Sequence, residues 1–401
     1  MGHVVVIGGG QAGLSCVAKL RSGGHRDPIT LIGSEAVPPY QRPPLSKAYL
    51  IGDLSKERLF LRQRAYFDEQ DIVLKLGMTV TAIDTGAQML TTNTETFCYD
   101  DLVLATGSVP RRLPAAIGGD LDGVFVVRDV SDVDAMAPRF IKGARVLIVG
   151  GGYIGLEAAS VAAKLGLQVT LVEMADRILQ RVASPETSSF FRDLHRAHGV
   201  DIREGVGLSQ LMGDRVVTGA ALSDGSMLEV DFVIAGVGVA PATQLAETAG
   251  IDIDNGIRTD VHGLTSAAHV WAAGDCASFP YRGGRIRLES VPNAIEQAEC
   301  VADNIMGAGK DYVAKPWFWS DQYDVKLQIA GLNTGYDRIV TRRGDGGAVS
   351  FWYYRGEELL AVDAANDARA YMIGKRLIEA GKSADPAFVK NPDFDLKALL
   401  K

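Results

Sequence analysis

The sequence is poor in cysteine and has no long apolar run. Its 401 residues contain four cysteines, which form no Cys-x-x-Cys pair and no spacing typical of a metal site. We therefore expect reduced, mostly buried thiols and no bound metal. A membrane-spanning helix needs about 18 or more consecutive apolar residues, and no such run exists. The first apolar strand begins directly after Met1-Gly2-His3, so we also expect no targeting peptide.

Positive charge is in deficit as well. The chain has 41 Lys and Arg against 49 Asp and Glu, a net charge of −8, which argues against a nucleic-acid-binding protein. The apolar content of 47% and the charged content of 22% are typical of a soluble globular protein. The length is sufficient for about two or three domains with a large core. These features predict a cytoplasmic protein with no contact to nucleic acid or membrane.

The most informative stretch runs from Arg145 to Glu173. A short apolar strand over residues 146–149 leads into a glycine-rich turn, an Ala-rich helix over about 156–165 and a second strand that ends at Glu173. In a dinucleotide-binding βαβ unit, such glycines allow a tight turn, a close approach to the pyrophosphate and close helix packing. The helix N-terminus binds the phosphates, and the acid binds a ribose hydroxyl. Its candidate binding residues are Gly150, Gly152, Tyr153, Ile154, Gly155, Glu157 and Glu173.

The same unit opens the chain, so the sequence contains an internal repeat. A buried strand over residues 4–7 leads into a second glycine-rich turn, a helix to about residue 20 and a strand over 29–32. Ser34 and Glu35 follow that strand, and both are candidates for the ribose contact. Glu35 is favoured because it is the only anion there. The candidate residues are Gly8, Gly10, Ala12, Gly13, Ser34 and Glu35.

Three later strands complete the two predicted sheets. Strands over 101–104 and 231–235 each follow a polar turn-and-strand passage, which predicts a β-meander beside each doubly wound sheet. The strand over 270–273 fits best as the last strand of the first domain, which leaves the second domain inserted in the first. Asp275 then lies in the ligand crevice and accepts hydrogen bonds from a sugar-alcohol chain; alternatively it only caps the next helix. The candidates from these turns are Thr106, Gly107, Gly238, Gly274 and Asp275.

Four motifs together resemble one family. They are RPPLSK at residues 42–47, GGYIGLE at 151–157, ESVPN at 289–293 and WFWSDQY at 317–323. The chain resembles NADH-dependent ferredoxin reductases of bacterial oxygenase systems, in the glutathione-reductase superfamily, over nearly its whole length. The resemblance implies an α/β fold of two Rossmann-like domains. FAD binds a discontinuous domain (residues 1–111 and 244–318), NADH binds the inserted domain (112–243), and an α+β domain (319–401) covers the flavin.

The resemblance also implies roles for individual residues. Ala12 falls in the FAD pyrophosphate turn, and Ser34 with Glu35 lies at the adenosine ribose. The other implied FAD contacts are Arg42 and Lys47 near the phosphates and flavin, Val80 at the adenine, Arg128 at the pyrophosphate, Asp275 at the ribityl chain, Val291 at the pyrimidine edge and Trp319 in the segment over the flavin. From the residues alone, the favoured interpretation of Val80 is a core strand residue and that of Arg128 an exposed surface residue.

The absence of sulfur after the first βαβ unit carries weight beside this resemblance. Disulfide reductases of the superfamily need a cysteine pair there, whereas residues 40–47 contain none. Electrons must then leave from the flavin itself, which favours a one-electron acceptor or oxygen. Lys47 and Glu157 are the predicted catalytic residues. Lys47 stabilises the negative charge of the reduced flavin, and Glu157 pairs with Lys47 and binds the carboxamide; the alternatives are a surface lysine and a first-turn helix acid.

The nucleotide preference and the protein partner follow from charge. Glu173 repels a 2′-phosphate and binds a 2′-hydroxyl, which favours NADH, although Arg177 and Arg181 lie close enough in sequence to bind a phosphate. A [2Fe-2S] ferredoxin is usually acidic and needs a basic patch. Two arginine groups are candidates, although either can equally be a solvated face. The first is Arg282, Arg285 and Arg287 before the segment 290–292, together with Lys315 before the tryptophan pair, and the second is Arg338, Arg342 and Arg343.

Other functions remain open at this point. They are a rubredoxin reductase, an NADH oxidase, and a redox-signalling flavoprotein similar to apoptosis-inducing factor. We expect a monomer or a weak homodimer.

Overall fold

The computed structural model describes residues 2–400, which divide into two compact units. Unit one contains residues up to 42, 55–109 and 239–316. Unit two contains residues 43–54, 110–238 and the chain from 317 onward. The chain therefore leaves unit one and returns to it twice before it ends in unit two.

Ten α-helices occur within residues 2–400. They are α1 (Gln11–Ser22), α2 (Lys56–Leu59), α3 (Arg64–Glu69), α4 (Val130–Met136), α5 (Tyr153–Lys164), α6 (Pro185–Ala197), α7 (Gln244–Thr248), α8 (Val291–Ile305), α9 (Ala368–Glu379) and α10 (Pro386–Lys390). Short 3₁₀ turns lie at Pro43–Ser46, Ala115–Ile117, Ala137–Arg139, Asp345–Gly347 and Leu396–Leu400. None of the described helices combines the length and apolar character needed to cross a membrane.

The same residues form 26 strands. They are β1 (Val4–Ile7), β2 (Ile29–Gly33), β3 (Ile72–Leu76), β4 (Val80–Asp84), β5 (Met89–Thr92), β6 (Thr96–Cys98), β7 (Asp101–Leu104), β8 (Ser108–Pro110), β9 (Val124–Phe125), β10 (Arg145–Val149), β11 (Gln168–Glu173), β12 (Asp201–Glu204), β13 (Leu208–Met212), β14 (Gly219–Leu222), β15 (Met227–Glu229), β16 (Phe232–Ala235), β17 (Val239–Pro241), β18 (Ile257–Arg258), β19 (Val270–Ala272), β20 (Ala277–Tyr281), β21 (Gly284–Ile286), β22 (Trp317–Gln322), β23 (Val325–Gly331), β24 (Arg338–Arg343), β25 (Val349–Arg355) and β26 (Glu358–Ala365).

Unit one is built on a parallel sheet with the strand order β19-β7-β1-β2-β3. Strands β1 and β2 are buried at every position because both faces of the sheet are covered there. Val4 and Val6 of β1 pack into a cluster with α1 and α8, whereas Val5 and Ile7 pack into the cluster that includes the β4-β5-β6 meander. Strand β19 pairs with β7 at the edge of this sheet. The predicted return of the chain to the first sheet is therefore confirmed.

Unit two repeats the arrangement and adds a second sheet. Its parallel sheet has the order β12-β11-β10-β16-β9, and the β13-β14-β15 meander shares a core cluster with β10 and β16. The chain after residue 317 forms an antiparallel sheet, β22-β23-β26-β25-β24, whose core cluster joins α9 through Trp352, Val362 and Tyr371. The predicted fold class, two Rossmann-like domains with the second inserted in the first plus a C-terminal α+β domain, is confirmed.

Several observed boundaries differ from the sequence-based expectation by one or more residues, and two of these differences are informative. Helix α5 begins at Tyr153, not near 156, because Gly152 is its N-cap in extended conformation and the glycine-rich stretch is already helical. Strand β22 begins at Trp317, so the C-terminal sheet starts two residues before the predicted boundary at 319. The three predicted domain ranges themselves stay a prediction.

Candidate functional site

The glycine turn between β1 and α1 has a different steric requirement at each glycine. Gly8 has φ of +126°, and a Cβ there would lie 2.0 Å from the carbonyl oxygen of Ala105. A Cβ on Gly13 would lie 2.0 Å from the carbonyl oxygen of Gly8. By contrast, no atom lies within 4 Å of a Cβ built on Gly10, the N-cap of α1. Gly8 and Gly13 are thus required by the fold, whereas Gly10 faces open space.

The turn between β10 and α5 has the same arrangement. A Cβ on Gly150 would lie 2.4 Å from the carbonyl oxygen of Gly236, and one on Gly155 would lie 2.1 Å from that of Gly150. Gly152 again faces open space. Neither helix has a side-chain cap or an acidic residue in its first turn, so the amide groups there are available to an anion. Both turns therefore fit a dinucleotide pyrophosphate.

Glu35 is held beside the first turn by two side chains. Its Oε1 lies 2.6 Å from Nη2 of Arg42, and its Oε2 accepts a hydrogen bond of 2.6 Å from the hydroxyl of Tyr40. Each carboxylate oxygen retains a lone pair, so a ribose hydroxyl can still be bound. Ser34 is exposed next to it. The amide of Gly77 donates to the Glu35 carbonyl, which brings the segment before β4 to this point.

Asp275 lies at the carboxyl end of the first sheet. Its Oδ2 accepts a hydrogen bond of 2.9 Å from Ser108 Oγ. A Cβ on the neighbouring Gly274 would lie 3.0 Å from Cβ of Ala12, so the end of β19 and the first turn of α1 are in close contact. Strand β7 ends beside them, since β7 pairs with both β1 and β19. This is the edge where parallel α/β sheets bind ligands.

The other predicted residues of unit one follow β7, begin α8 or begin β4. Thr106 follows β7 and donates from Oγ1 to the carbonyl of Ala242 at 2.7 Å, and Gly107 follows with φ of +72°. Val291 is the first residue of α8, whose N-cap is Ser290. Val80 begins β4 and packs partly buried against the meander cluster, as its core-strand interpretation predicts.

Three residues that the resemblance assigns to FAD belong to unit two. They are Lys47, Arg128 and Trp319. Arg128 precedes α4, and its amide donates to Asp132 at 2.9 Å. Trp319 lies on β22, where its ring centroid is 5.6 Å from that of Trp317. Their proposed contacts with a cofactor stay predictions.

Glu173 is fixed by the backbone at the end of β11. Its Oε2 accepts a hydrogen bond of 2.8 Å from the amide of Gly151, and its Oε1 accepts one of 2.9 Å from the amide of Ala175. The carboxylate is therefore tied to the glycine turn itself. Arg177 points elsewhere, since it donates to the carbonyl of Ser184 at 3.2 Å. Arg181 is exposed beside Gly238.

The predicted pair of Lys47 and Glu157 exists, with a buried carboxylate and a partly buried ammonium. Nζ of Lys47 lies 2.8 Å from Oε1 of Glu157, whose residue is 6% exposed. Two hydroxyl groups donate to the same carboxylate at 2.7 Å: Ser46 to Oε2 and Ser320 to Oε1. A carboxylate with a cation and two hydroxyl donors is well compensated for its loss of water.

Sequence reasoning missed the residues that extend this cluster. Gln322 Nε2 lies 3.2 Å from Ser320 Oγ, and Gln322 Oε1 lies 2.8 Å from Nε2 of His195. The hydroxyl of Tyr323 lies 3.2 Å from Nδ1 of the same histidine. Ser320 and Gln322 alternate along β22 on one face of the strand, and this period of two was the signal in the sequence.

The arginines predicted as a docking surface are largely committed to the backbone. Arg285 and Arg287 each donate to two carbonyl groups of neighbouring loops. Arg342 donates to four carbonyl groups between residues 389 and 394. The side chains of these three residues therefore help to hold the fold, and their docking role stays a prediction.

The four cysteines are free thiols, and three of them are buried. Burial raises the pKa of the Cys16 thiol to about 12, and Cys276 and Cys300 are buried as well, whereas Cys98 is exposed. No group of three or more His, Cys, Asp and Glu side chains in the described chain is arranged to hold a metal ion.

Comparison with known proteins agrees with this geometry. Residues 2–298 match the pyridine nucleotide-disulphide oxidoreductase family, and residues 317–400 match a reductase C-terminal family. The chain is 43% identical to the ferredoxin reductase subunit of the 5,5′-dehydrodivanillate O-demethylase of a Sphingobium strain, over 98% of this chain and 97% of that protein. It is 40% identical to rhodocoxin reductase of Rhodococcus erythropolis, over 99% of this chain and 94% of the relative.

A solved structure extends the likeness to three dimensions. The crystal structure of a covalent putidaredoxin reductase–putidaredoxin complex contains a chain that superposes with a TM-score of 0.96. The sequence identity is 39%, and the match covers 99% of this chain and 98% of the other.

The steric contrast between Gly10 and Gly13 gives a matched pair of variants. Gly13→Ala should destabilise the protein by about 1–3 kcal/mol or more, because the methyl group meets a backbone carbonyl. Gly10→Ala should leave the stability of the FAD-free protein within about 0.5 kcal/mol but weaken FAD binding, because the methyl group fills the open side of the turn. Chemical unfolding and FAD titration measure the two effects. Wild-type FAD affinity in Gly10→Ala would show that phosphate does not approach there.

His195 should make stability depend on pH. Burial lowers the pKa of His195 from its usual 6.5 to about 4. Between pH 6.5 and about pH 4 the folded protein binds fewer protons than the unfolded chain. The free energy of unfolding therefore decreases as the pH falls through this range. His195→Gln keeps a donor but does not titrate, and its unfolding free energy relative to wild type should rise by about 3 kcal/mol between about pH 7 and pH 4.

A second buried group, Asp363, also changes protonation in this pH range. Burial raises the pKa of Asp363 to about 6, which has the opposite effect on stability, but it acts in both proteins and cancels in the difference. Parallel pH-stability curves for wild type and His195→Gln would contradict the expectation.

Proposed function

This chain belongs to the pyridine nucleotide-disulphide oxidoreductase family, and on that basis we propose that it is an NADH-dependent ferredoxin reductase. Electrons pass from NADH through FAD to a ferredoxin that serves an oxygenase. Relatives at about 40% identity over the full length carry ferredoxin reductase names, among them the O-demethylase subunit. The enzyme is an oxidoreductase with two dinucleotide cofactors, FAD and NAD(H).

The observation that carries the proposal is the repeated glycine turn. Each unit contains a turn whose second glycine faces open space at a helix N-terminus, Gly10 in one and Gly152 in the other. One chain with two such turns suits two dinucleotides. Residues 40–47 hold no cysteine, so no thiol relay follows the first βαβ unit. Bound FAD supplies the step from a two-electron donor to a one-electron acceptor.

Residues of unit one hold FAD in this proposal. The amides at the start of α1 bind the pyrophosphate, and Glu35 accepts from the adenosine ribose while Arg42 balances its charge. Asp275, oriented by Ser108, accepts hydrogen bonds from the ribityl hydroxyls. The N-terminus of α8, at Val291, directs the positive end of the helix dipole to the pyrimidine edge of the flavin.

Residues of unit two hold NADH. The start of α5 binds the pyrophosphate, and Glu173 accepts from the ribose. The carboxylate of Glu173 is held by two backbone amides, which carry no full positive charge, so its charge opposes a 2′-phosphate and favours NADH. Glu157 orients the carboxamide and forms an ion pair with Lys47. That cation stabilises negative charge that develops as hydride is accepted.

The finer parts of the proposal concern partner, assembly and place. The ferredoxin is of the [2Fe-2S] type, since a single-electron carrier suits a chain with no cysteine in residues 40–47 to relay electrons. The protein is cytoplasmic, binds no nucleic acid, and is a monomer or a weak homodimer. Its functional domains are residues 1–111 with 244–318, 112–243 and 319–401.

The decisive experiment compares electron acceptors. The purified, FAD-containing chain is mixed with NADH and either a panel of [2Fe-2S] ferredoxins, a rubredoxin, oxygen or ferricyanide. Fast reduction of one ferredoxin and slow oxygen use support the proposal. Preference for rubredoxin or oxygen would make the chain a rubredoxin reductase or an NADH oxidase, and slow turnover with all acceptors would point to a signalling flavoprotein.

Glu173→Ala should weaken NADH use and narrow the preference over NADPH. Loss of a charge-assisted contact costs about 1.5–3 kcal/mol, or about 10- to 100-fold in kcat/KM. Glu204→Ala is the matched control, because Glu204 also ends a strand of this sheet and accepts from a backbone amide, that of Ile178, at 2.9 Å. If the ratio of kcat/KM for NADH to that for NADPH changes equally in both variants, Glu173 does not bind the ribose.

Lys47→Met should slow the reduction of bound FAD by NADH in stopped flow by about a hundredfold, because a cation beside developing negative charge is lost. Lys47→Arg keeps the charge and should retain much of the rate. FAD content should stay near wild type in both. Wild-type reduction in Lys47→Met would leave the ion pair with a purely structural role.

A further inference from the structure

The polar cluster around Glu157 is a single chain of hydrogen bonds through the interior of unit two. It runs from Tyr323 through His195, Gln322 and Ser320 to Glu157. His195, Gln322 and Ser320 are fully buried. No water can replace a lost partner at such positions without cost, so each group depends on its neighbour.

The carboxylate end decides the direction of the chain. An ionised Glu157 only accepts, so the Ser320 hydroxyl must donate to it. That hydroxyl has one hydrogen, and it therefore accepts from the amide nitrogen of Gln322.

The amide orientation in turn decides the histidine tautomer. With its nitrogen turned to Ser320, Gln322 presents its oxygen to His195, which must carry its proton on Nε2. The neutral ring then accepts at Nδ1 from the hydroxyl of Tyr323. Burial lowers the pKa of His195 to about 4, which agrees with a neutral ring at pH 7.

We propose that Ser320, Gln322 and His195 are positioning residues for hydride transfer from NADH, because together they hold Glu157 in the orientation that binds Lys47. This rests on the function proposed above. The four donors, which are Tyr323, His195, Gln322 and Ser320, all donate in the direction of the carboxylate. Hydrogen bonds in such a chain polarise one another. Ser320 therefore forms a stronger hydrogen bond to Oε1 than an isolated hydroxyl would, and Oε1 is the same oxygen that pairs with Lys47.

The far end of the chain is firmly anchored. Tyr323 adopts φ of +56°, an uncommon conformation for a residue other than glycine. Its amide donates to Ser160 Oγ at 2.7 Å, and Lys164 Nζ donates to its carbonyl at 3.0 Å. The ring of His198 stacks on the tyrosine with centroids 3.7 Å apart. The charged and titratable groups along the chain are therefore Lys47, Glu157, His195, Tyr323, His198 and Lys164.

The direction of the chain is tested without any enzymatic assay. ¹⁵N-histidine labelling and NMR at about pH 7 report the tautomer of each of the six histidines, and His195→Gln identifies the signal of His195. We expect protonation at Nε2. Protonation at Nδ1 would reverse the chain, turn Gln322 over and leave Glu157 without this donor, and so would overturn the proposal.

The positioning role is tested with two matched serines. Ser320→Ala should lower the limiting rate of FAD reduction by NADH about tenfold or more, with NAD⁺ affinity by calorimetry changed less than about threefold. Ser350→Ala is the control, because Ser350 is also fully buried in the C-terminal sheet and its hydroxyl donates to a carboxylate, that of Asp367, at 3.2 Å. It should lower stability but not the rate. Ser320→Thr, which keeps the hydroxyl, should restore most of the rate.

The outcomes separate the two proposals. An unchanged rate in Ser320→Ala, or an equal loss in Ser350→Ala, assigns Ser320 to packing alone and overturns the positioning role. A wild-type protein that NADH does not reduce would disprove the proposed function and the kinetic role with it. The tautomer of His195 would still show whether the hydrogen-bond chain exists in the direction inferred.

Discussion

The buried carboxylate of Glu157 is the constraint on which unit two depends. Ser46 and Lys47 reach it from residues 43–54, and Ser320 reaches it from the C-terminal sheet. Three separate segments of the chain thus meet at one anion. An uncompensated buried charge costs several kcal/mol, so each segment is held in place by the requirement to supply its donor. The same requirement fixes the orientation of the partly buried Lys47 ammonium.

The two βαβ units share a backbone pattern, but their acidic residues, Glu35 and Glu173, have different hydrogen-bond partners. Glu35 lies against the Arg42 guanidinium and the Tyr40 hydroxyl, so its charge is largely balanced. Glu173 is held by two backbone amides, which orient it but supply no full positive charge. In the proposed function, the balanced charge of Glu35 is compatible with a neighbouring phosphate, whereas the unbalanced charge of Glu173 opposes a 2′-phosphate. The difference lies in residues outside the glycine motif, and the motif alone does not encode it.

Local patterns in the sequence predict most of this architecture. Apolar runs of four residues, glycine spacing and the acid at the end of β11 are all visible within about 30 residues, and so both sheets, both meanders and the return of β19 could be inferred. Partners far apart in sequence could not. The hydrogen bond between Ser320 and Glu157 joins residues 163 positions apart, and that between His195 and Gln322 joins residues 127 apart. Arg287 illustrates the opposite error, because a run of arginines suggests an exposed patch, whereas its guanidinium binds the Asp275 carbonyl.

The alternation along β22 limits how this protein can be recombined with its relatives. Phe318, Ser320 and Gln322 share the face that meets Tyr153, Glu157 and His195. The C-terminal sheet therefore acts as a fitted part of the nucleotide-binding core and cannot be exchanged as an independent module. A chimaera that takes this sheet from another reductase must bring a hydroxyl and an amide in the same register. A junction that shifts the strand by one residue would place Trp319 and Asp321 against the carboxylate.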